Sequence, residues 1–161
     1  MTEILPLLAE DSLKAAEIES ECLAEAWSES AIRALCGRED AAVVAAYEYG
    51  EESCAAERRP VGLAHCGFVL DEAHVNNISV KPEYRRRGIG EALMNALFEA
   101  AKARGCTVMF LDVRASNAPA VSLYKKLGFS ILSERTGVYR THDGERITGR
   151  ENALVMGKKL I

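Results

Sequence analysis

The segment Arg85-Arg86-Arg87-Gly88-Ile89-Gly90 connects an apparent strand at residues 76–80 to an amphipathic stretch that begins at Ile89. A glycine-rich turn at the start of a helix directs several backbone N–H groups at one point, where the helix dipole also favours negative charge. Three consecutive arginines add positive charge beside that point. The segment therefore predicts a strand–turn–helix unit that binds a phosphate or pyrophosphate.

Length and composition indicate one domain. The chain has 161 residues, of which 48% are hydrophobic, which is enough for one sizeable core. We therefore assign residues 1–161 to a single domain. The formal net charge of −4 argues against general nucleic-acid binding, because nucleic-acid-binding domains are usually basic. The arginine run is thus a local feature of an acidic protein, and it suits a small anionic ligand.

The cysteines and the N-terminal sequence bear on the cellular compartment. Five cysteines are scattered along the chain, and none shows the short spacing of a zinc site: Cys22, Cys36, Cys54, Cys66 and Cys106. Reduced thiols without a metal are the simplest interpretation. The first residues lack a basic region followed by a long apolar run, and no apolar run could span a bilayer. We expect a cytoplasmic protein with no membrane partner and no nucleic-acid partner.

Hydrophobic periodicity predicts a mixed α/β fold. Residues 89–104 form the clearest helix, and other helices are expected at 13–23 after an Asp11-Ser12 cap, after Ser28, and from Asn117 to residue 127. Strands are expected at residues 3–7, 41–49, 61–70, 73–80, 106–111, 129–135 and 152–158. Residues 50–60 and 136–151 are expected to be polar connections. The resulting order, β-α-α-β-β-β-α-β-α-β-β, is typical of a mixed sheet with helices on both faces.

Two common phosphate-binding motifs do not match the glycine-rich turn. A dinucleotide-binding motif requires a third glycine where Leu93 stands, and a tight turn where seven residues separate Val80 from Gly88. A Walker phosphate loop fails because no Gly-Lys-Ser/Thr follows. Taken alone, the motif leaves open a loop without a ligand, flanked by solvated arginines.

Two further motifs give the turn a context. They are Val113-Arg114-Ala115-Ser116-Asn117 and Tyr124-x-x-x-Gly128-Phe129. With them, the whole chain resembles the GNAT-family acetyltransferases, which bind acetyl-CoA on an Arg/Gln-x-x-Gly-x-Gly/Ala turn. It is most similar to the bacterial ribosomal-protein alanine N-acetyltransferases (the RimI type). The resemblance implies the GNAT fold and transfer of acetyl from acetyl-CoA to a protein N-terminal α-amine, with a ribosomal protein as a candidate partner.

The resemblance also implies a set of contacts to acetyl-CoA. Strand backbone groups would hold the acetyl and pantetheine arm, main-chain N–H groups of the turn would hold the pyrophosphate, and Asn117 would bind the arm. Each position also has a plain structural role, as a core strand residue or as a helix cap. The implied cosubstrate-binding residues are Ile78, Ser79, Val80, Arg86, Arg87, Gly88, Ile89, Gly90, Glu91 and Asn117.

Two catalytic residues follow from the same resemblance. Tyr124 matches the tyrosine that protonates the CoA sulfur, and Asp112 stands where the family has a glutamate base. Aspartate is shorter by about 1.5 Å, one C–C bond, so a contact through water could survive where a direct contact fails. The alternative is a structural carboxylate paired with Arg114 or Arg87. The other candidate bases are two histidines: His74 and His142.

The acceptor end of the chain departs most from the family. The resemblance implies Trp27 and Tyr139 as acceptor-binding residues, but Val138-Tyr139 replaces a Tyr-Tyr pair and Glu151-Asn152 replaces Glu-Asp. Two alternatives therefore stay open. One is an acetyltransferase for lysine or a small-molecule amine, and the other is a non-catalytic CoA-binding regulatory domain.

Overall fold

The computed structural model describes residues 1–50 and 57–161. Within these residues the order β-α-α-β-β-β-α-β-α-β-β and the mixed α/β fold are confirmed. The strands are β1 (Thr2–Pro6), β2 (Ala41–Tyr49), β3 (Arg58–Val69), β4 (Glu72–Val80), β5 (Val108–Arg114), β6 (Ser130–Asp143) and β7 (Arg146–Lys159). The helices are α1 (Ser12–Cys22), α2 (Glu29–Leu35), α3 (Ile89–Ala103) and α4 (Ala118–Lys126), with 3-10 turns at Ala9–Asp11 and Pro82–Tyr84.

The strands described form one sheet in the order β1-β2-β3-β4-β5-β7-β6. Neighbouring strands are antiparallel except β4 and β5, which are parallel. A parallel pair needs a crossover connection, and α3 supplies it. The arginine–glycine turn precedes α3, so it lies at the carboxyl end of β4, where open α/β sheets bind ligands.

Helices cover both faces of the sheet. Alternate residues of β2 contribute to two separate cores: Val44 and Ala46 belong to the core that α3 fills, whereas Val43 and Tyr47 belong to the core under α1 and α2. Since successive strand residues point to opposite faces, α3 lies on one face and α1 and α2 on the other. Hereafter these are the α3 face and the α1 face.

The final hairpin is longer than expected. Residues 136–151 were expected to be a connection, but they pair in register as parts of β6 and β7, for example Tyr139 with Glu151, and the chain turns at Gly144. The prediction was wrong because most residues near the tip are exposed. A strand with little burial lacks the apolar–polar alternation that identifies it in a sequence.

The boundary between the connection after β2 and strand β3 also differs from the prediction. Of the expected connection at residues 50–60, positions 58–60 belong to β3, while residues 51–56, including Cys54, lie outside the described residues. The free thiols of the described chain are Cys22, Cys36, Cys66 and Cys106. Burial raises the pKa of the Cys66 thiol to about 12, so this cysteine behaves as a core residue. No helix among the described residues is long and apolar enough to cross a membrane.

Asp11 does not cap α1 as expected. Its side chain makes no cap hydrogen bond, because the preceding 3-10 turn directs the carboxylate to the Tyr47 hydroxyl, which donates to Oδ2 at 2.8 Å. The same hydroxyl accepts from the Leu8 N–H at 3.3 Å. Tyr47 is fully buried and Asp11 is 9% exposed. This pair therefore connects β2 to the entrance of α1.

We expect Tyr47→Phe to lower the free energy of unfolding by about 1–3 kcal/mol, because Asp11 and the Leu8 N–H lose their partner. Burial raises the pKa of Tyr47 to about 12, above its ordinary value of 10.0. The unfolded chain then loses this proton first, and the stability contributed by Tyr47 falls as the pH rises from about 10 to 12. Urea unfolding at pH 7 and between about pH 10 and 12 measures both effects. An unchanged midpoint of Tyr47→Phe at pH 7 would contradict the first, and the same fall with pH in Tyr47→Phe as in the wild type would contradict the second.

Candidate active site

The sheet splits between its two parallel strands. β4 and β5 pair only over Glu72–His74 and Val108–Phe110, and beyond these residues the strands separate. The cleft that opens contains an inner recess of about 130 Å³ and an outer recess of about 370 Å³, and the outer recess has the size of a small-molecule site. Residues shared by both recesses are Glu25, Val75, Asn76, Asn77, Leu111, Asp112 and Tyr139.

The cleft joins the two faces of the sheet. Leu111 and Val113 of β5 belong to the core on the α3 face. Because successive strand residues point to opposite faces, Asp112 and Arg114 point to the α1 face. Tyr124 of α4 belongs to the core on the α3 face, yet it lines the inner recess together with Asp112. A substrate on one face can therefore meet a substrate on the other through the gap.

The edge of β4 offers backbone groups to the gap. The Lys81 N–H donates to the Val61 carbonyl at 2.9 Å, and the alternation of an antiparallel ladder then turns the backbone groups of Ile78 and Val80 away from β3. The backbone of Ser79, between them, faces β3. The Val80 carbonyl already accepts from Arg85 Nε at 3.1 Å and from Cys22 Sγ at 3.4 Å. Ile78 therefore offers the more accessible backbone groups.

The arginine–glycine turn has the geometry of an anion site. Gly88 precedes α3 with φ of +78°, and Arg86 also has a left-handed φ of +64°. The N–H groups of the first helical turn, which includes residues 89–91, have no partner within the helix. Arg85 Nε and Arg87 Nη2 donate to carbonyls of Val80 and Glu83. Two of the three arginine side chains therefore shape the turn itself.

Gly88→Ala tests whether the turn binds its ligand through the backbone. A side chain at a left-handed φ costs about 1–2 kcal/mol, and it changes the direction of the N–H groups. We expect this variant to weaken CoA binding about tenfold, measured by titration calorimetry. Gly144→Ala is the matched control, because Gly144 has φ of +61° at the hairpin tip and, like Gly88, has free space around an added Cβ. An equal loss of CoA affinity in both variants would contradict the backbone role.

Asn117 and Tyr124 are placed by α4. Asn117 Oδ1 accepts from the Ala120 N–H at 3.3 Å, so this side chain is a helix cap, and Asn117 also lines the inner recess. Tyr124 is 5% exposed, and burial raises the pKa of its phenol well above the ordinary value. The phenol therefore carries its proton at neutral pH, and the same shift makes it a weaker acid than an exposed tyrosine.

Asp112 has a partner that was not expected. Arg135 of β6, not Arg114 or Arg87, donates to Asp112 Oδ2 at 3.1 Å. Asp112 lies opposite Val155 of β7, and Arg135 lies opposite Ala153 on the other side of β7, so the sheet register brings the two side chains together. Asp112 is still 38% exposed and lines both recesses.

Arg114 links the elements around the cleft. Its guanidinium donates to Glu25 in the α1–α2 loop, to Glu151 Oε1 at 2.8 Å and to the Arg140 carbonyl at 3.1 Å. It also lies 4.7 Å from the ring centroid of Tyr139. These contacts join the loop, β5 and the final hairpin, so Tyr139 is held at the mouth of the cleft.

The other candidates divide between the cleft and its surroundings. Trp27 and His74 line the outer recess, and the Trp27 ring lies edge-on to His65 with centroids 4.7 Å apart. His74 Nε2 is 2.9 Å from Glu72 Oε2. His142 lies near the hairpin tip, opposite Ile147, and is not among the described residues that line either recess. His74 thus stays a candidate base, and His142 lacks the required position.

The comparisons with known proteins settle the family. Residues 13–129 match the family model described as acetyltransferase (GNAT) family. The chain belongs to the GNAT family. Similar proteins include the [ribosomal protein bS18]-alanine N-acetyltransferases of Escherichia coli, at 46% identity over 88 residues (55% of this chain), and of Salmonella typhimurium, at 40% over 101 residues (63% of this chain). The chain spans 56% and 65% of the length of these two relatives.

Solved structures agree with this GNAT assignment. The ribosomal-protein-S18-alanine N-acetyltransferase from Escherichia coli aligns with a TM-score of 0.83 and 34% identity, covering 99% of this chain and 94% of the other. Arabidopsis thaliana NAA60, solved in complex with acetyl-CoA, aligns with a TM-score of 0.85 at 19% identity over 99% of this chain and 98% of the other. The second likeness shows the fold alone.

Several residues of this GNAT cleft and its wall were not identified from the sequence as parts of the site. They are Glu19, Glu25, His65, Asn76, Asn77 and Arg114. A signal was present for two of them, since adjacent asparagines are unfavourable inside a strand and mark an irregularity. Within the described residues, no group of three or more His, Cys, Asp or Glu side chains could hold a metal ion.

Proposed function

We propose that this protein is an N-acetyltransferase that transfers acetyl from acetyl-CoA to the N-terminal α-amine of a protein, by direct attack in a ternary complex. The observation that supports this most strongly is the cleft between β4 and β5, whose inner recess reaches Asn117 and Tyr124 and whose outer recess reaches Trp27 and Tyr139. The arginine–glycine turn follows β4, one wall of this cleft. A donor and an acceptor can each enter from its own side and meet between Asp112 and Tyr124.

The donor side suits CoA. The α3 turn would bind the pyrophosphate through the N–H groups of residues 86–91, and the backbone of Ile78 would pair with the pantetheine arm as an added strand edge. Ser79 contributes less, because its backbone faces β3. Asn117 Nδ2 would reach the arm from the inner recess. Glu91 forms an ion pair with Lys126 at 2.8 Å, which offsets the negative charge of its carboxylate beside the turn.

The reaction follows from the groups around the inner recess. The amine nitrogen attacks the thioester carbonyl carbon, Asp112 accepts the amine proton directly or through water, and the C–S bond breaks as the N–C bond forms. The Tyr124 phenol then gives its proton to the departing thiolate. An α-amine has an ordinary pKa near 8, so a modest base is sufficient. The products are an N-acetylated chain end and CoA.

The acceptor side suits a cationic chain end. Glu25, Asp112 and Glu151 place carboxylates around the mouth, and the arginines among them are paired with these carboxylates. Hydrogen bonding from Arg114 holds the pKa of Glu151 below its ordinary value. Trp27 and Tyr139 provide ring surfaces for the first side chains of a peptide. Relatives named for the alanine of ribosomal protein bS18 suggest such an N-terminus as the first acceptor to test.

One observation favours a second function. The Asp112–Arg135 pair could make Asp112 structural, and a CoA-binding regulatory domain would then be the alternative. Turnover assays distinguish the two. We expect thiol release from acetyl-CoA with peptides that carry a free N-terminal alanine, and none with the same peptides after N-terminal blocking. Turnover only with lysine side chains or small amines would redirect the acceptor assignment, and tight CoA binding without turnover would support the regulatory alternative.

A further inference from the structure

A hydrogen-bonded chain of buried side chains lies beneath the acceptor side of the cleft. Glu19 of α1 and His65 of β3 are both fully buried, and Glu19 Oε2 is 3.0 Å from His65 Nε2. On the other edge of the ring, His65 Nδ1 is 3.2 Å from Asn76 Nδ2. Asn76 lines both recesses of the cleft. The chain therefore leads from a buried carboxylate to the wall of the acceptor site.

The Glu19 carboxyl at the buried end of this chain is ionised. Burial alone would raise the pKa of its carboxyl, but hydrogen bonds from His65, the Trp27 N–H and Asn77 outweigh burial and hold the pKa below its ordinary value. Oε1 accepts from the Trp27 N–H at 2.8 Å and from Asn77 Nδ2. An ionised carboxylate can only accept hydrogen bonds, so its third neighbour, His65 Nε2, must carry a proton.

This proton decides the orientation of Asn76. Asn76 Nδ2 is a donor and lies 3.2 Å from His65 Nδ1, so Nδ1 accepts while Nε2 donates to Glu19. The carbonyl Oδ1 of the same amide then points away from the ring. Asn76 is also the extra residue of a β-bulge, because β3 pairs His65 with Asn77 and Cys66 with Val75. Bulges aim a side chain away from the regular ladder, and here the cleft receives it.

We propose that Glu19, through the tautomer of His65, positions the Asn76 side-chain carbonyl as a hydrogen-bond acceptor for the acceptor amine. Asn76 is the residue that contacts the amine, while Glu19 and His65 are positioning residues. The inference rests on the proposed function for the chemical class of its ligand. An ammonium or amine group needs several acceptors once it leaves water, and Asn76 Oδ1 supplies one without competing with Asp112 for the proton.

The variant Glu19→Gln tests the chain with little change in shape. The amide Oε1 can still accept from the Trp27 N–H and Asn77, but the new NH₂ faces His65 Nε2. His65 must then accept at Nε2 and carry its proton on Nδ1, which obliges Asn76 to turn its carbonyl to the ring and its NH₂ to the cleft. A donor replaces an acceptor at the amine site. Glu17→Gln, on an exposed position of the same helix, is the matched control.

The binding experiment uses a peptide with a free N-terminal alanine, titrated into the protein saturated with CoA. We expect Glu19→Gln and Asn76→Ala each to weaken peptide binding about tenfold, the loss of a charge-assisted hydrogen bond. The double variant should be no weaker than Asn76→Ala, because Glu19 acts through Asn76. The N-acetylated peptide should lose no affinity in any variant, and CoA affinity should match that of Glu17→Gln.

Nitrogen-15 NMR of His65 supplies a measurement that is independent of turnover. We expect the Nε2–H tautomer in the wild type and the Nδ1–H tautomer in Glu19→Gln. A wild-type His65 that carries its proton on Nδ1, or on both nitrogens, would overturn the chain even if the protein is an active acetyltransferase. A tautomer that switches without any change in peptide affinity would overturn the role of Asn76. Absent turnover combined with the expected tautomers and affinities would instead contradict the proposed catalysis and retain the chain.

Discussion

Tyr124→Phe is expected to lower kcat for acetyl transfer by about 10²–10⁴-fold, the usual contribution of a general acid. Tyr124 lines the inner recess, and burial raises its pKa above that of a free phenol, so the proton stays in place at neutral and mildly alkaline pH. Without the hydroxyl, CoA would have to leave as an unprotonated thiolate. Peptide and acetyl-CoA binding should change little, because the ring that packs against Phe129 is retained.

The control for this variant is Tyr49→Phe. Tyr49 is 38% exposed on β2 and its hydroxyl contacts Glu3, far along the sheet from the cleft. Steady-state kinetics with a thiol-detecting reagent measures both variants. If Tyr124→Phe and Tyr49→Phe have the same kcat, the proton reaches sulfur from another donor and the assignment of Tyr124 is wrong.

Short-range signals in the sequence predicted the elements on the α3 face of the cleft. The turn at Gly88, helix α3 and the Asn117 cap each depend on residues close together in the chain, and all three are present. Tyr124 was identified through the GNAT resemblance, and α4, which carries it, follows β5 after a short connection. Residue patterns predict local structure, such as turns, helices and caps, more directly than long-range contacts.

The rest of the site depends on how distant strands pair, which the sequence pattern does not show. The separation of β4 from β5 and the bulge at Asn76 depend on the registers of three strands. The partner of Asp112 depends on which residues of β6 and β7 align with β5, so Arg135 was missed although it is only 23 positions away. The buried chain from Glu19 to Asn76 joins residues from three elements and shows no sequence spacing that could reveal it.

Asp112→Asn is expected to reduce kcat/KM for the peptide about 10²-fold and to remove the limb of the pH–rate profile that reports ionisation of the base. The amide keeps the size of the side chain and can still accept from Arg135, so the hairpin contact survives. Asp112→Glu retains the carboxylate and extends it by about 1.5 Å. We expect this variant to keep the limb, with activity well above that of Asp112→Asn.

His74 is the alternative base, and its variant shows how an unchanged pH–rate profile of Asp112→Asn should be interpreted. His74 lines the outer recess and is bonded to Glu72, so His74→Gln is the counterpart to measure under the same conditions. If Asp112→Asn leaves the pH–rate profile unchanged while His74→Gln removes its limb, His74 is the base. Asp112 would then serve to hold Arg135, and the final hairpin, in place. If both variants keep the limb and the rate, the amine is deprotonated before it binds, which its ordinary pKa near 8 permits.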